Sequence, residues 1–122
     1  MIISVMVPIR TENESNQRVH WAARAKRAAS QRTATYLCLI ASPLERSRIP
    51  KAVRLVRIGG RGLDDDGLRS ALKAVRDAVA CKHTARVPGF YDVDDGPKGP
   101  ITWLYAQEPG EWAVRIEVML DP

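Results

Sequence analysis

Three consecutive aspartates, Asp64, Asp65 and Asp66, stand in the stretch GRGLDDDGLRSALKAVRDAV, at the start of a segment with helical spacing of apolar residues. In an extended segment, Asp64 and Asp66 leave the backbone on one side and Asp65 leaves on the other. Hard divalent cations such as Mg²⁺ take carboxylate oxygens as ligands, together with water and substrate phosphates. The spacing therefore makes Asp64 and Asp66 candidates for one half of a metal site.

A second acidic group lies in YDVDDGP, residues 91–97, within a stretch rich in turn-forming residues. Such a loop can return Asp94 or Asp95 to the first pair, and three carboxylates from two loops would bind a metal ion. The alternative is structural. Asp66 is a good helix N-cap, neighbouring aspartates are favoured at the positive end of the helix dipole, and DVDDGP also fits a solvated turn.

Lys73 follows Asp66 by seven residues, and its spacing places it on one helix face with Ser70 and Asp77. From that position an ammonium group can stabilise negative charge that develops on a phosphate in the transition state. The alternative is a surface lysine that only forms an ion pair with Asp77.

The charge balance favours a polyanionic partner. The 122 residues include 19 Lys and Arg against 14 Asp and Glu, which gives a net charge of +5. The candidate cations for such a partner lie in the predicted first helix and on either side of the three aspartates: Arg18, Arg24, Lys26, Arg27, Arg32, Arg61 and Arg69. No segment has the length of apolar sequence that a membrane span requires, and the first residues lack the pattern of a signal peptide, so we expect a cytoplasmic protein.

Periodicity predicts an α+β fold with the order β-α-β-α-loop-β-β, in which a small mixed β-sheet packs with two main helices. Length and composition favour one domain over residues 1–122. The predicted strands cover 1–9, 51–58 and the segments ITWLYAQ and EWAVRIEVML, and the last two are expected to pair as a hairpin through EPGE.

The first helix is predicted to begin at Ser15 or Asn16, and the second at an Asp66 cap, followed by a long loop over 82–100. The apolar stripe expected on the first helix comprises Val19, Ala22, Ala29, Thr33, Tyr36, Leu37 and Ile40, and that on the second comprises Leu68, Leu72, Val75 and Val79.

Four separate segments, taken in order, resemble the RusA family of Holliday-junction resolvases, many of which are carried by phages and prophages. They are the basic run NQRVHWAARAKRAASQR, the stretch GLDDDGLRSALKAVRDAV, YDVDDG and ITWLYAQ. In that family a D-x-D-N motif opens a helix that carries a lysine, and a later D-D pair completes an acidic site. The family's asparagine is Gly67 here. In some members the lysine falls at the position of Ser70, and Lys73 lies one turn later on the same face.

The resemblance implies a homodimer that binds four-way DNA junctions by shape and nicks two opposed strands symmetrically with Mg²⁺ or Mn²⁺. It implies Asp64, Asp66 and Asp95 as catalytic metal ligands, with Asp94 beside them and Lys73 in the role of the family's lysine. It also implies a bacterial host cell. Two alternatives stay open: a DNA-junction-binding protein with weak or no catalysis, and a nuclease that acts on flaps or replication forks.

Overall fold

The computed structural model of the chain describes residues 1–13, 21–82 and 88–121. It has four strands, β1 (Ile2–Val7), β2 (Ala52–Gly59), β3 (Thr102–Pro109) and β4 (Ala113–Met119), and three helices, α1 (Trp21–Ile40), α2 (Asp65–Ala71) and α3 (Lys73–Val79). The mixed sheet with its helices confirms the α+β fold. The predicted start of the first helix at Ser15 or Asn16 lies outside the described residues, as do Arg18 and Val19.

The strand order is β1-β4-β2-β3, with β4 antiparallel to both neighbours and β3 parallel to β2. The predicted C-terminal hairpin is therefore wrong, because β2 lies between β3 and β4. Gly59 pairs with Pro109 on one side of β2, and Ile58 pairs with Ala113 on the other. The connection between these strands passes across the end of β2 through Gly110, whose φ of 152° is one that residues with side chains rarely adopt.

The helices cover one face of the sheet. Val53 and Leu55 of β2 share this face, as their alternation predicts, and both are fully buried. The hydrophobic core there combines residues of strands and helices: β1, β2 and β4 supply Val5, Val7, Val53, Leu55, Val114, Ile116 and Val118, and the helices supply Leu39, Leu68, Leu72, Val75 and Val79.

Helix α1 buries a different face from the predicted one. Its buried residues are Gln31, Thr35 and Leu39, whereas Leu37 and Ile40 are 59% and 51% exposed. The polar members of this stripe are satisfied locally, since Gln31 donates to the backbone oxygen of Arg10 at 3.1 Å and the Thr35 hydroxyl donates to the Gln31 backbone oxygen at 2.7 Å. Because both polar side chains have partners, burial of this face costs little.

The second predicted helix is two short helices. Leu72 interrupts it with φ −101° and ψ 3°, and α3 starts at the next residue. The apolar stripe of Leu68, Leu72, Val75 and Val79 is nevertheless buried as predicted, and all four side chains belong to the core.

The opposite face of the sheet carries a charged network. Glu117 accepts from Arg54 Nε at 2.6 Å and from Arg115 Nε at 2.8 Å, and Arg115 also pairs with Glu108. Burial alone would raise the pKa of Glu117, but the hydrogen bonds from the two arginines hold that pKa below its ordinary value.

Across residues 1–13, 21–82 and 88–121, no helix is long and apolar enough to cross a membrane.

Candidate functional site

The three aspartates follow the carboxyl end of β2 and open α2. Asp64 is the N-cap: its backbone is extended, with φ −70° and ψ 174°, and its Oδ1 accepts from the Gly67 amide at 2.7 Å. The predicted cap at Asp66 is thus wrong by two residues. Asp65 and Asp66 lie in the first turn of the helix and are exposed. Both positions are favourable for acids at a helix N-terminus.

The loop before Asp64 is fixed by the edge strand β3. The side-chain amide of Gln107 accepts from the Leu63 backbone N–H at 2.9 Å and donates to the Leu63 backbone oxygen at 2.6 Å. Two hydrogen bonds to one residue mimic the pairing of another strand. The clamp holds the chain at the residue immediately before Asp64.

Asn13 occupies the space next to Gly67. A Cβ on Gly67 would lie 2.7 Å from Asp64 Oδ1 and 2.8 Å from Asn13 Nδ2, both too close for real atoms. A side chain at the position where the resemblance expects an asparagine would therefore displace the Asp64 carboxylate or the Asn13 amide. An asparagine amide is present at this place all the same, supplied by the segment that follows β1. Amides next to a ligand carboxylate fix its orientation.

A groove runs between α1 and the α2–α3 pair and continues to β3. It consists of two adjoining cavities of about 320 and 370 Å³ that share Ser70, Lys73 and Asp77. This confirms that the three residues share a face. Arg24 and Arg32 of α1 contribute to the first cavity, and the second is completed by Arg69, Arg76, Asp95 and Tyr105. Lys73 and Asp95 thus line one cavity. Both were predicted to be catalytic, and they come from distant segments of the chain.

Arg76 holds Asp95 in this groove. The Arg76 Nε lies 3.3 Å from Asp95 Oδ2 as an ion pair without hydrogen-bond alignment, and Nη2 donates to the Asp95 backbone oxygen. Its Nη1 donates to the Tyr105 hydroxyl at 2.8 Å, and the guanidinium stacks 4.8 Å from the centre of the Trp103 ring. Sequence reasoning did not single out Arg76. Its signal was weak, because an arginine at the interior of a helix is usually a solvated charge.

Asp77 is a further site residue that the sequence suggested only as a partner of Lys73. The Lys73 ammonium lies 3.4 Å from Asp77 Oδ2. Burial raises the pKa of Asp77 above its ordinary value, Lys73 opposes that rise, and the nearby Asp95 charge adds to it. The groove therefore holds two carboxylates, Asp77 and Asp95, among several cations.

The predicted metal ligands lie at two places. Asp64 and Asp66 are at the start of α2, and Asp95 is beside Arg76. Among the residues that the structure describes, no group of three His, Cys, Asp or Glu side chains has the spacing to hold a metal ion. Asp94 forms a local turn, in which its Oδ1 accepts from the Gly96 amide at 2.9 Å. This turn agrees with the structural alternative for that residue.

The donor types of the three predicted ligands, though not their spacing in this structure, are those that a hard cation prefers. Asp64 uses Oδ1 for the cap, and within the described structure its Oδ2 has no partner. Asp66 is exposed and forms no hydrogen bond or ion pair with the described residues, and Asp95 pairs through Oδ2 only. Each of the three thus offers one carboxylate oxygen, the ligand type that Mg²⁺ prefers.

The predicted DNA-binding cations divide between surfaces. Arg24, Arg32 and Arg69 line the groove, whereas Arg27 lies 3.8 Å from Glu12 and Lys26 lines a separate cavity beside Arg27. Arg61 belongs to the glycine-rich loop after β2.

Comparison of the chain with protein-family models, curated proteins and solved structures found no match.

Proposed function

We propose that the protein is a metal-dependent endodeoxyribonuclease that resolves four-way DNA junctions by paired symmetric nicks. The observation that carries the proposal is the groove, in which Lys73 and Asp95 line one cavity although they lie 22 positions apart in the chain. The groove walls add Arg24, Arg32 and Arg69, and cations of this kind bind the phosphates of nucleic acids.

The residues have distinct roles in this proposal. Asp64, Asp66 and Asp95 would together hold Mg²⁺ or Mn²⁺, and a metal ion held there would supply activation of water and neutralisation of phosphate charge. Lys73 is 77% exposed in its side chain, and its pairing with Asp77 is a single long hydrogen bond of 3.4 Å, so its ammonium can turn to a phosphate oxygen. Arg76 keeps Asp95 in the groove. Asn13 and Gly67 orient Asp64.

The proposal includes a homodimer, because two active sites are required to nick two strands related by the two-fold symmetry of a junction. The outer side of α1 supports this, since Leu37 and Ile40 are apolar and more than half exposed. A cavity of about 390 Å³ lies next to Leu37, with Tyr36, Asp77 and Ala78 in its wall. A second copy of the chain can bury such a surface.

A second candidate function is DNA-junction binding without cleavage. It is favoured by one observation: Asp64 and Asp95 already have partners within the protein, the Gly67 amide and Arg76. In that case the cationic groove binds DNA, and the aspartates have structural roles only. A flap- or fork-specific nuclease would use the same groove.

The test is incubation of the protein with a synthetic four-way junction, a flap and a linear duplex of matched sequence, with and without Mg²⁺, followed by a denaturing gel. A resolvase produces symmetric nicks in the junction only when metal is present. Cleavage of the flap alone supports the flap- or fork-specific nuclease. Junction binding without nicks in Mg²⁺ or Mn²⁺ supports the junction-binding protein without cleavage.

A further inference from the structure

Arg57 is a buried cation at the carboxyl end of β2. It lies on the helix-covered face of the sheet next to Gln107 of β3, and only 3% of the residue is exposed. Its Nη1 donates to the Arg61 backbone oxygen at 2.8 Å and its Nη2 to the Thr11 backbone oxygen at 3.2 Å. Within the described residues, Nε has no hydrogen-bond partner. One donor of a buried guanidinium is thus left unsatisfied, which is costly.

No carboxylate in the described structure forms an ion pair with Arg57. The nearest acidic influence is Glu12, whose own carboxylate lies 3.2 Å from Arg10 and 3.8 Å from Arg27. Burial lowers the pKa of Arg57, and Glu12 opposes this only in part. Buried charges in proteins are normally paired. Among the described residues, no carboxylate therefore neutralises the charge of Arg57 directly.

A pocket of about 200 Å³ opens beside Arg57. Its wall is the glycine-rich loop 59–62 together with Gln107, Glu108 and Pro109. A Cβ on Gly60 would meet nothing within 4 Å, so the backbone is open to close approach there. The one acid in the wall, Glu108, is engaged by Arg115. A small anion fits both the size and the charge of this pocket.

Trp112 packs against the guanidinium of Arg57. The centre of its ring is 5.1 Å from Arg57 Cζ and 4.7 Å from Arg10 Cζ, so the indole lies against both cations. Gly59 makes this possible, because a Cβ there would lie 2.5 Å from the Trp112 ring. The orientation of Arg57 is thus set before any ligand arrives.

We propose that this pocket binds one phosphate group of a nucleic-acid strand through Arg57 and the glycine-rich loop. A guanidinium presents several N–H donors in a plane that matches phosphate oxygens, and Nε–H is the donor that lacks a partner among the described residues. The pocket shares Gln107 with the clamp on Leu63, so the bound phosphate lies next to the loop that leads to Asp64. This goes beyond the proposed cleavage, since it requires neither metal nor catalysis.

The experiment follows the Arg57 Nε–H resonance by NMR in EDTA, which keeps the result independent of nuclease activity. Titrants are inorganic phosphate, the 5′-phosphorylated dinucleotide pdTpdT, and a matched dithymidine with a neutral methylphosphonate linkage and no terminal phosphate. We expect a saturable downfield shift with phosphate and with pdTpdT, and none with the neutral compound. No shift with either phosphate probe overturns the proposal. A shift with inorganic phosphate alone overturns the assignment to a nucleic-acid strand.

Two variants complete the test. Arg57→Gln removes the charge, and Arg54→Gln on the opposite face of the same strand is its control. Because Arg57→Gln can unfold the protein, Gly60→Leu provides a second route: Gly60 lines the pocket, has no positive φ and has no atom within 4 Å of an added Cβ, so a leucine there adds bulk to the pocket wall while Arg57 is kept. We expect Gly60→Leu to fold and to lose at least tenfold in affinity for pdTpdT. Unchanged affinity in a folded Gly60→Leu overturns the proposal.

Discussion

Arg76 and Asp95 join helix α3 to the long loop, through an ion pair of 3.3 Å and a hydrogen bond from the same guanidinium to the Asp95 backbone oxygen. The loop between α3 and β3 has a single isolated bridge, Ala80 to Tyr91, as ladder pairing among its described residues. A side chain that contacts both the carboxylate and the backbone of Asp95 therefore fixes where this acid lies relative to Lys73.

Replacement of Arg76 by methionine should lower the free energy of unfolding by about 1–3 kcal/mol, because it removes hydrogen bonds to Tyr105 and Asp95 at a half-buried position. Lys73→Met is the matched control on the same helix. The Lys73 ammonium is 77% exposed and its contact with Asp77 is long, so the loss should stay within about 0.5 kcal/mol. Denaturant unfolding of both variants measures the difference. Equal effects would contradict the anchoring role of Arg76.

Gly67→Ala should destabilise the protein, whereas a change from glycine to alanine in a helix usually stabilises it. Alanine normally stabilises the interior of a helix by about 0.5–1 kcal/mol relative to glycine. Here the added Cβ would lie within 2.8 Å of Asn13 Nδ2 and closer still to Asp64 Oδ1, so the cap or the amide must move.

Asn13→Gly should recover part of the stability when combined with Gly67→Ala, since it removes one of the two obstructing side chains. A thermal melt of the two single variants and the double variant gives the coupling. If Gly67→Ala melts at a higher temperature than the parent, Asn13 does not occupy the space that we assign to it.

Much of the architecture follows from the sequence, because alternation and helical spacing report burial directly. The alternating β2 and β4 segments and the stripe from Leu68 to Val79 are correct for this reason. The pairing of β3 was not predictable, since alternation shows that a strand has a buried face but not which strand lies beside it. The prediction of the buried face of α1 was wrong for another reason. Alanines surround the helix, and Gln31 and Thr35 are buried through hydrogen bonds that the pattern does not show.

For the candidate site, the sequence predicted the chemical types of the functional residues but not the contacts that position them. Residue types and the family resemblance identified Asp64, Asp66, Lys73 and Asp95. The partners that position them were missed, because Arg76, Gln107 and Asn13 act through contacts between distant segments. Arg57 was missed although the alternation that places Val53 and Leu55 on the core face places it there too, because an arginine in a strand is usually a solvated charge.

The cations of the groove should determine the salt dependence of DNA binding. Arg24→Ala combined with Arg32→Ala should weaken binding to a four-way junction and reduce the slope of log K against log salt by about 0.9 for each phosphate that the variant no longer neutralises. Arg48→Ala combined with Lys51→Ala is the control with the same charge change, at residues that pair with Asp121 outside the groove. Fluorescence anisotropy over a range of salt concentrations measures both slopes. Equal slopes in the two double variants would move the DNA surface away from the groove.

The proposed dimer should have twice the chain mass of 13.6 kDa in light scattering. Leu37→Glu should produce a monomer, because the charge falls on the exposed apolar side of α1 beside the cavity at Tyr36. Met6→Glu, at a residue of β1 that is 51% exposed, is the control and should remain dimeric. A parent protein that is monomeric at tens of micromolar would contradict paired nicking.

Metal-dependent cleavage at the start of α2 is the central claim, and the three aspartates provide their own control. Asparagine keeps the shape of aspartate but removes a hard anionic ligand, so Asp66→Asn and Asp95→Asn should each reduce cleavage by several orders of magnitude. Asp65→Asn makes the same charge change at an exposed neighbour that is not a proposed ligand, and it should cut at nearly the parental rate.

The decisive measurement is the cleavage rate of a four-way junction in Mg²⁺ for these three variants and the parent, with a thermal melt of each. The account predicts normal melting for all of them, junction binding that survives without metal, and loss of nicking in Asp66→Asn and Asp95→Asn alone. Parental cleavage by a folded Asp66→Asn or Asp95→Asn would contradict it, and these aspartates would then serve the helix and the loop only.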